Sequence, residues 1–199
     1  MNKRFVLSLT IGLTLTVQVC LGQASNFAIF KSKFSLQDTL YTSIDSSNYD
    51  PVNFRLKNCK IIDSKYFSLF SRFSCYENFD THKHWIQSYK QFNDITAMTI
   101  LCFGKYGPIL HLLTFKDSSL IDEIILESSF VDAGQVEIYT CTGQVGNKFS
   151  RSFYTEWETQ KEGRWLTISD STVLTFEISS QGKMDTLNVQ NFQKDIEWK

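Results

Sequence analysis

The chain has 199 residues, of which 42% are hydrophobic and 21% are charged, with two prolines and a formal net charge of −1. This composition excludes a disordered, a collagen-like and a low-complexity chain, and the length suits a single domain. Because the chain has 20 basic and 21 acidic residues and no basic stripe, we do not expect nucleic acid as a partner.

The first 22 residues have the pattern of a secretory signal peptide. Lys3 and Arg4 precede an apolar run over residues 5–19, which is too short to span a bilayer, and the small residues Gly22 and Ala24 follow it. We therefore predict cleavage near these two small residues and a protein that is periplasmic or secreted. No later run reaches the roughly 20 apolar residues of a membrane helix, so we expect no transmembrane segment after cleavage.

Cys20 offers an alternative form of export. As a lipidated first residue it would anchor the mature chain to a membrane, but such signals have a small residue before the cysteine, and Val19 is bulky and β-branched. We therefore favour ordinary cleavage and keep a lipid-anchored envelope protein as the alternative.

Four cysteines remain after cleavage, namely Cys59, Cys75, Cys102 and Cys141. An even number in an exported protein permits disulfides, although a domain of this size does not need them to fold. Our first interpretation is buried free thiols. Among the conceivable bridges, Cys59–Cys75 closes the shortest loop.

The mature chain is predicted to begin with a short amphipathic helix. Phe27, Phe30 and Phe34 recur at helical spacing, and Asn26 suits the N-cap position.

Three successive segments are predicted within residues 43–73. The stretch 43–53 is rich in Ser, Asn and Asp and is predicted to be a loop, and residues 54–62 are predicted to form a strand. The aromatic spacing over residues 63–73 fits either a helix or a strand, and both remain open.

A further amphipathic helix is predicted over residues 81–93. Large apolar side chains share one helical face, polar side chains share the other, and Asp80 or Thr81 can cap the first turn. The apolar face holds Trp85, Ile86, Tyr89 and Phe92. We expect the helices within residues 25–93 to cover the sheet that follows them.

Residues 95–190 show short apolar runs separated by turn residues. The runs are 95–103, 109–115, 121–129, 135–142, 147–157, 164–169, 171–179 and 183–190. Their connections are too short for crossover helices, so we predict an antiparallel meander of about eight strands. The first two runs are apolar on both faces and need cover on both. We therefore predict a mainly β (α+β) domain over residues 23–199, whose sheet curls into a sandwich or partial barrel.

Two stretches of this region carry a recurring pattern. They read LHLLTFKDSSLIDEI from Leu110 and VLTFEISSQGKM from Val173. In this pattern a strand enters a polar turn and an apolar segment with Ile-Asp, and a later strand, a Gly-Lys turn and a last strand close the chain. With its Phe-rich mature start, the chain resembles a group of small exported β-rich proteins of Bacteroidota-type bacteria. The resemblance implies export and a β-rich fold, and it implies no activity.

The chain shows no motif for nucleophilic catalysis or phosphate binding. It lacks G-x-S-x-G, and its glycines have neither the P-loop nor the dinucleotide spacing. A metal site could be drawn from His82, His84 and Cys75, but helix positions two residues apart point roughly 200° apart. We therefore predict no metal site there, and we expect no cofactor and no catalytic residues.

His111 is the basis of the competing hypothesis. On a strand that is apolar on both faces, it is most simply a buried, hydrogen-bonded histidine. The alternative is a hydrolase in which His111 acts with strand-end carboxylates, such as Asp117 or Asp122.

The predicted binding residues are Tyr154 and Trp165. Strand alternation with a hairpin turn at residues 161–163 places Trp157 opposite Leu166, and leaves Tyr154 and Trp165 on a polar face about 13 Å apart. An exposed Trp with a polar rim can stack on a sugar ring or on an apolar patch of a partner. We therefore predict an exported, non-catalytic binding or interaction module whose partner is a glycan or a protein.

Overall fold

A computed structural model describes residues 25–37, 40, 49–50, 55–56, 60–75, 85–104, 107–132, 135–161 and 163–197. The predicted signal peptide lies outside these residues, as do Cys20, Cys59, His82 and His84. Within the described ranges, no helix is both long and apolar enough to cross a membrane.

Eight long strands form one antiparallel meander in chain order. They are β5 (Trp85–Phe92), β6 (Ile95–Gly104), β7 (Gly107–Lys116), β8 (Ser119–Asp132), β9 (Gln135–Val145), β10 (Lys148–Lys161), β11 (Arg164–Ile178) and β12 (Met184–Glu197). Six of the seven connections are two residues long, as in tight hairpins. The predicted meander is confirmed, and the sheet is not closed into a barrel.

Short elements precede the meander. Strands β1 (Ser35–Leu36) and β4 (Lys60–Ile61) pair with β5, and β2 (Tyr49–Asp50) pairs with β3 (Arg55–Leu56) in a separate two-stranded sheet. The described part of the stretch predicted as one strand over residues 54–62 therefore belongs to two sheets. The strand β2 also lies inside the stretch predicted to be a loop.

Two helices pack on the sheet. Residues 25–31 form an α-helix, α1, and Ser64–Phe70 form a 3-10 helix, η1, which decides the open choice for residues 63–73. The predicted helix around Phe27 and Phe30 is confirmed, although Asn26 lies within it rather than at its N-cap. The two helices contact each other through Phe30 and Phe70, whose ring centroids are 5.5 Å apart.

The helix predicted over residues 81–93 is wrong, because residues 85–92 form β5 and pair with β6. The register of this pair shifts between Ile86 and Tyr89, and an extra residue in a strand resets its alternation. Both side chains therefore reach the same core although they are three residues apart. That spacing is also typical of one face of a helix, which explains the error.

A second difference concerns Asp170, which we predicted to separate two strands. β11 runs through it without a break and pairs it with Thr155 of β10. The runs 164–169 and 171–179 therefore form one strand, and β5 supplies the remaining strand of the eight.

The strands β6 and β7 are buried on both faces. On the first face, Met98 and Leu113 belong to a core shared with α1 and η1. On the second face, Leu112 packs in a core with Phe149 of β10 and Phe176 of β11. The sheet therefore curls so that its later strands cover its early ones, as the two-sided apolar pattern predicted.

The connection between β11 and β12 holds this curl in place. The Met184 backbone N–H donates to the Asp122 carboxylate over 2.9 Å, and the Thr114 hydroxyl donates to the Gly182 carbonyl. Gly182 has φ +85°, and a Cβ there would lie 3.2 Å from Cδ1 of Ile95. Only glycine suits both the left-handed backbone and the close approach.

Candidate functional site

The hairpin of β10 and β11 positions the predicted binding residues. Trp157 lies opposite Ile168, so the predicted pairing of Trp157 with Leu166 is wrong by two residues. The reason is the position of the turn, because the two-residue connection ends at Gly163, with φ +78°, one residue later than a Trp157–Leu166 pairing requires. A shift of two residues leaves every side chain on its predicted face.

Tyr154 and Trp165 lie on the same face but far apart. Trp165 is 58% exposed and lies opposite Gln160, whereas Tyr154 lies opposite Ser171. Six positions along β11 separate Trp165 from Ser171, a distance of about 20 Å at about 3.3 Å per residue. The structure therefore does not bring the two aromatic rings within reach of one small ligand.

The structure instead places Tyr154 close to Phe192, which sequence reasoning missed. Ser171 of β11 lies opposite Tyr154 on one side and opposite Phe192 of β12 on the other. Neighbouring strands are about 4.8 Å apart, so the two aromatic residues flank a serine at a backbone separation of about 10 Å. Phe192 is 58% exposed. In the sequence, strand alternation can assign Phe192 to one face of its strand. It does not reveal which residues of the paired strand lie in the same row.

Polar side chains continue this face toward Trp165. The next row across the strands holds Glu156, Ser169 and Lys194. The Tyr154 hydroxyl donates to the Glu156 carboxylate, and this hydrogen bond raises the pKa of Tyr154. We call this face the outer aromatic surface, defined by Tyr154, Glu156, Trp165, Ser169, Ser171, Phe192 and Lys194.

A second group of reactive side chains lies in the core beneath the helices. Cys102 of β6 and His111 of β7 belong to adjacent strands, and Cys75 follows η1 in the chain. The three donor atoms lie within 4.8 Å of one another, and Cys75 Sγ is 3.4 Å from His111 Nε2. We call these three residues the thiol–imidazole cluster. All three are buried.

The two thiols of the cluster differ in their pKa. The hydrogen bond from the Cys102 thiol, aided by His111, lowers the pKa of Cys75 to about 5 although burial opposes this. The same Cys75 sulfur, together with burial, raises the pKa of Cys102. The two thiols therefore differ in acidity, and Cys75 is the one that loses its proton more readily.

His111 is only partly satisfied in this position. Its Nδ1 has no hydrogen-bond partner among the described residues, and the Phe73 ring meets the imidazole edge-on with centroids 4.9 Å apart. Asp122 lies opposite Thr114, whose hydroxyl donates to Gly182 on the second face of the sheet. His111 faces the first core, so the structure does not bring it together with Asp122.

The structure also describes three of the four cysteines that follow the predicted signal peptide. Cys75, Cys102 and Cys141 carry thiols that form no disulfide. The possible Cys59–Cys75 bridge is therefore not seen at Cys75, and Cys59 itself lies outside the described residues. Sequence reasoning tested Cys75 only against nearby histidines, and it missed Cys102 and His111 because only the pairing of β6 with β7 brings them together.

The chain was also compared with known proteins. No protein family matches it, and the comparisons with curated proteins and with solved structures gave no match.

Proposed function

We propose that this protein is an exported, non-catalytic glycan-binding module and that the outer aromatic surface is its ligand site. The observation that carries the proposal is the exposure of Phe192 and Trp165, each 58%, on a face that also carries hydroxyl and charged side chains around them. Large exposed aromatic residues of this kind are typical of binding surfaces.

The arrangement of the rings favours a sugar polymer over a protein. The core of a protein interface is a contiguous, well-packed apolar patch. Here Ser171 separates Tyr154 from Phe192, and Trp165 lies about 20 Å further along the strand. Separate rings with hydroxyl and charged groups between them suit an extended chain of rings that each have an apolar face and a polar edge.

Flanking groups can bind the hydroxyls of such a ligand. Glu156 offers carboxylate oxygens and Lys194 offers ammonium donors on either side of Ser169. The hydrogen bond between Tyr154 and Glu156 fixes the tyrosine ring, which lowers the entropy lost on binding.

Export and the absence of catalysis are parts of the same proposal. The signal-peptide pattern and the resemblance to small exported β-rich proteins support export. The burial of His111, which is 2% exposed, and its orientation away from Asp122 speak against the hydrolase alternative, because a general base must reach its substrate.

A glycan array followed by titration of the best ligand tests the proposal. Tyr154→Ala and Phe192→Ala should each weaken binding about tenfold, which corresponds to the roughly 1.4 kcal/mol at the upper end for aromatic contacts. Trp165→Ala should weaken the binding of long oligosaccharides more than that of short ones. The control is Val145→Ala, which removes an apolar side chain outside this surface that is even more exposed, at 80%.

Several outcomes would reject the proposal. These are an array without any bound glycan, unchanged affinity in both Tyr154→Ala and Phe192→Ala, or equal weakening by Val145→Ala. A purified protein ligand whose binding is lost in Phe192→Ala, with no glycan bound, would assign the surface to a protein partner instead.

A further inference from the structure

We infer that the thiol–imidazole cluster is a buried binding site for monovalent copper, in which Cys75, Cys102 and His111 supply two sulfur donors and one nitrogen donor. This inference is independent of the outer aromatic surface, which lies on a different part of the sheet.

The spacing of the donor atoms fits a shared metal ion. With metal bonds of about 2.3 Å to sulfur and about 2.0 Å to nitrogen, two donors of a trigonal three-coordinate ion lie roughly 3.7 to 4.0 Å apart. The distance from Cys75 Sγ to His111 Nε2 is 3.4 Å, and all three donor atoms lie within 4.8 Å. A cation can therefore enter with only small movements of the side chains.

The environment of the cluster points to a ligand as well. Cysteine sulfur and histidine nitrogen are the donor types that soft metal ions prefer, and here they converge at a site from which water is largely excluded, since each residue is at most 8% exposed. The Glu123 carboxylate, which accepts the Ser74 backbone N–H over 2.9 Å, adds negative charge nearby.

The number of donors selects the metal. Thiolate ligands favour copper(I), zinc and iron–sulfur clusters. A structural zinc site has four protein ligands, and a catalytic zinc site keeps an open position for water. In the described part of the chain the group contains three ligands. Its members are at most 8% exposed, which suits a three-coordinate copper(I) ion shielded from water.

Binding transfers no electrons. Each cysteine sulfur donates an electron pair to copper as a thiolate, and His111 donates the lone pair of Nε2. Because a thiolate and not a thiol binds metals, Cys102 loses its proton to solvent as its bond to copper forms. The oxidation state of copper stays unchanged. Cys75 is the most exposed member of the cluster, at 8%, and marks the side from which the ion enters.

The test is a titration of the reduced purified protein with copper(I) under nitrogen, in competition with a chromophoric copper(I) chelator. We expect one copper(I) per chain, weaker apparent binding at lower pH because thiol protons compete with the metal, and a higher Tm on binding. Cys75→Ser and His111→Gln should each lower the affinity more than about 100-fold, because even groups outside the ligand shell contribute roughly 10- to 100-fold.

Two cysteine variants serve as matched controls. Cys141→Ser removes a buried thiol that lies outside the cluster, and Cys59→Ser removes the predicted alternative partner of Cys75. Both should bind copper(I) like the unchanged protein. Because Cys75→Ser could also disturb folding, its circular dichroism spectrum without copper should match that of the unchanged protein, and its Tm should not increase when copper(I) is added.

Four results would overturn the inference. They are the absence of copper(I) binding by the folded, reduced protein, an equal loss of affinity in Cys141→Ser, and weaker binding in Cys59→Ser. The fourth is tighter binding of zinc(II) or cobalt(II) with a four-coordinate spectrum, which would assign the site to a different metal.

Discussion

Strands β7 and β11 both carry large apolar side chains but lie in different surroundings. In β7, Leu110, Leu112 and Leu113 are each 0% exposed; the first two point to one face of the sheet and Leu113 points to the other. In β11, Phe176 is 0% exposed near one end, whereas Trp165 is 58% exposed near the other. An apolar side chain in this sheet is therefore core or surface according to what covers it.

The lengths of the strands explain the difference. β7 has 10 residues and is covered by helices on one face and by later strands on the other. β11 has 15 residues, and only its C-terminal end reaches the shared core. The remainder extends beyond this cover, which is why a binding surface can form there while the thiol–imidazole cluster is enclosed.

The largest expected effect comes from shortening a leucine in the strand that is covered twice. Leu112→Ala should lower the free energy of unfolding by about 2 to 5 kcal/mol, because it leaves a cavity in a closed core. Leu187→Ala in β12, where the side chain is 49% exposed, should cost only roughly 0.5 kcal/mol. Urea denaturation measures both, and equal losses would show that the two regions do not differ in cover.

A smaller effect on stability is expected where the β11–β12 connection contacts the early strands of the sheet. Gly182→Ala places a Cβ 3.2 Å from Ile95 in a left-handed backbone, whereas Gly146→Ala meets only the left-handed backbone, since nothing lies within 4 Å. The backbone conformation costs about 1 to 2 kcal/mol at either site. Thermal denaturation should therefore show a greater loss for Gly182→Ala, and an equal loss would mean that the hairpin tip does not pack on Ile95.

The enclosed cluster should make stability depend on pH. The pKa of Cys75 is lowered to about 5 in the folded protein, against about 8.5 for an unfolded thiol. Its stabilising contribution is therefore fully present above the unfolded value and is lost as the pH falls through about 5. The free energy of unfolding of the unchanged protein, relative to that of Cys75→Ser, should therefore increase as the pH rises from about 5 to about 8.5. A flat difference in unfolding free energy would contradict the assignment of the thiolate.

The smallest effect concerns the outer aromatic surface. Glu156→Gln should lower the pKa of Tyr154, because the hydrogen bond to the carboxylate raises it. Ultraviolet titration measures this change, with Tyr154→Phe identifying the signal of this tyrosine. Glu158→Gln, on the same strand face two residues further along, should leave the titration unchanged. The same shift in both variants would indicate general electrostatics rather than the specific hydrogen bond.

Most of the fold could be predicted from local patterns. The turn residues located the tight connections, and apolar residues on both faces of the early strands predicted cover on both sides. The errors arose at irregular positions, because the extra residue between Ile86 and Tyr89 imitates helical spacing and a two-residue turn at Gly163 shifts the hairpin register.

The candidate sites were less accessible to such reasoning. Tyr154 and Trp165 were assigned to the same face correctly, since a shift of two residues preserves alternation. The aromatic residue in the same row as Tyr154 is instead Phe192, with Ser171 between them. Locating it requires both the β10–β11 register and the β11–β12 register. The copper site remained hidden because its three ligands come from separate parts of the chain.

The sequence by itself determined most strands and turns after residue 95 and which strands need two covers, because alternation and turn geometry act over a few neighbouring residues. Only the tertiary structure decided that Cys75 meets Cys102 and His111, and that Phe192 lies beside Tyr154. Such contacts depend on strand register and on the curl of the whole sheet, and a register is the sum of every turn and bulge that precedes it.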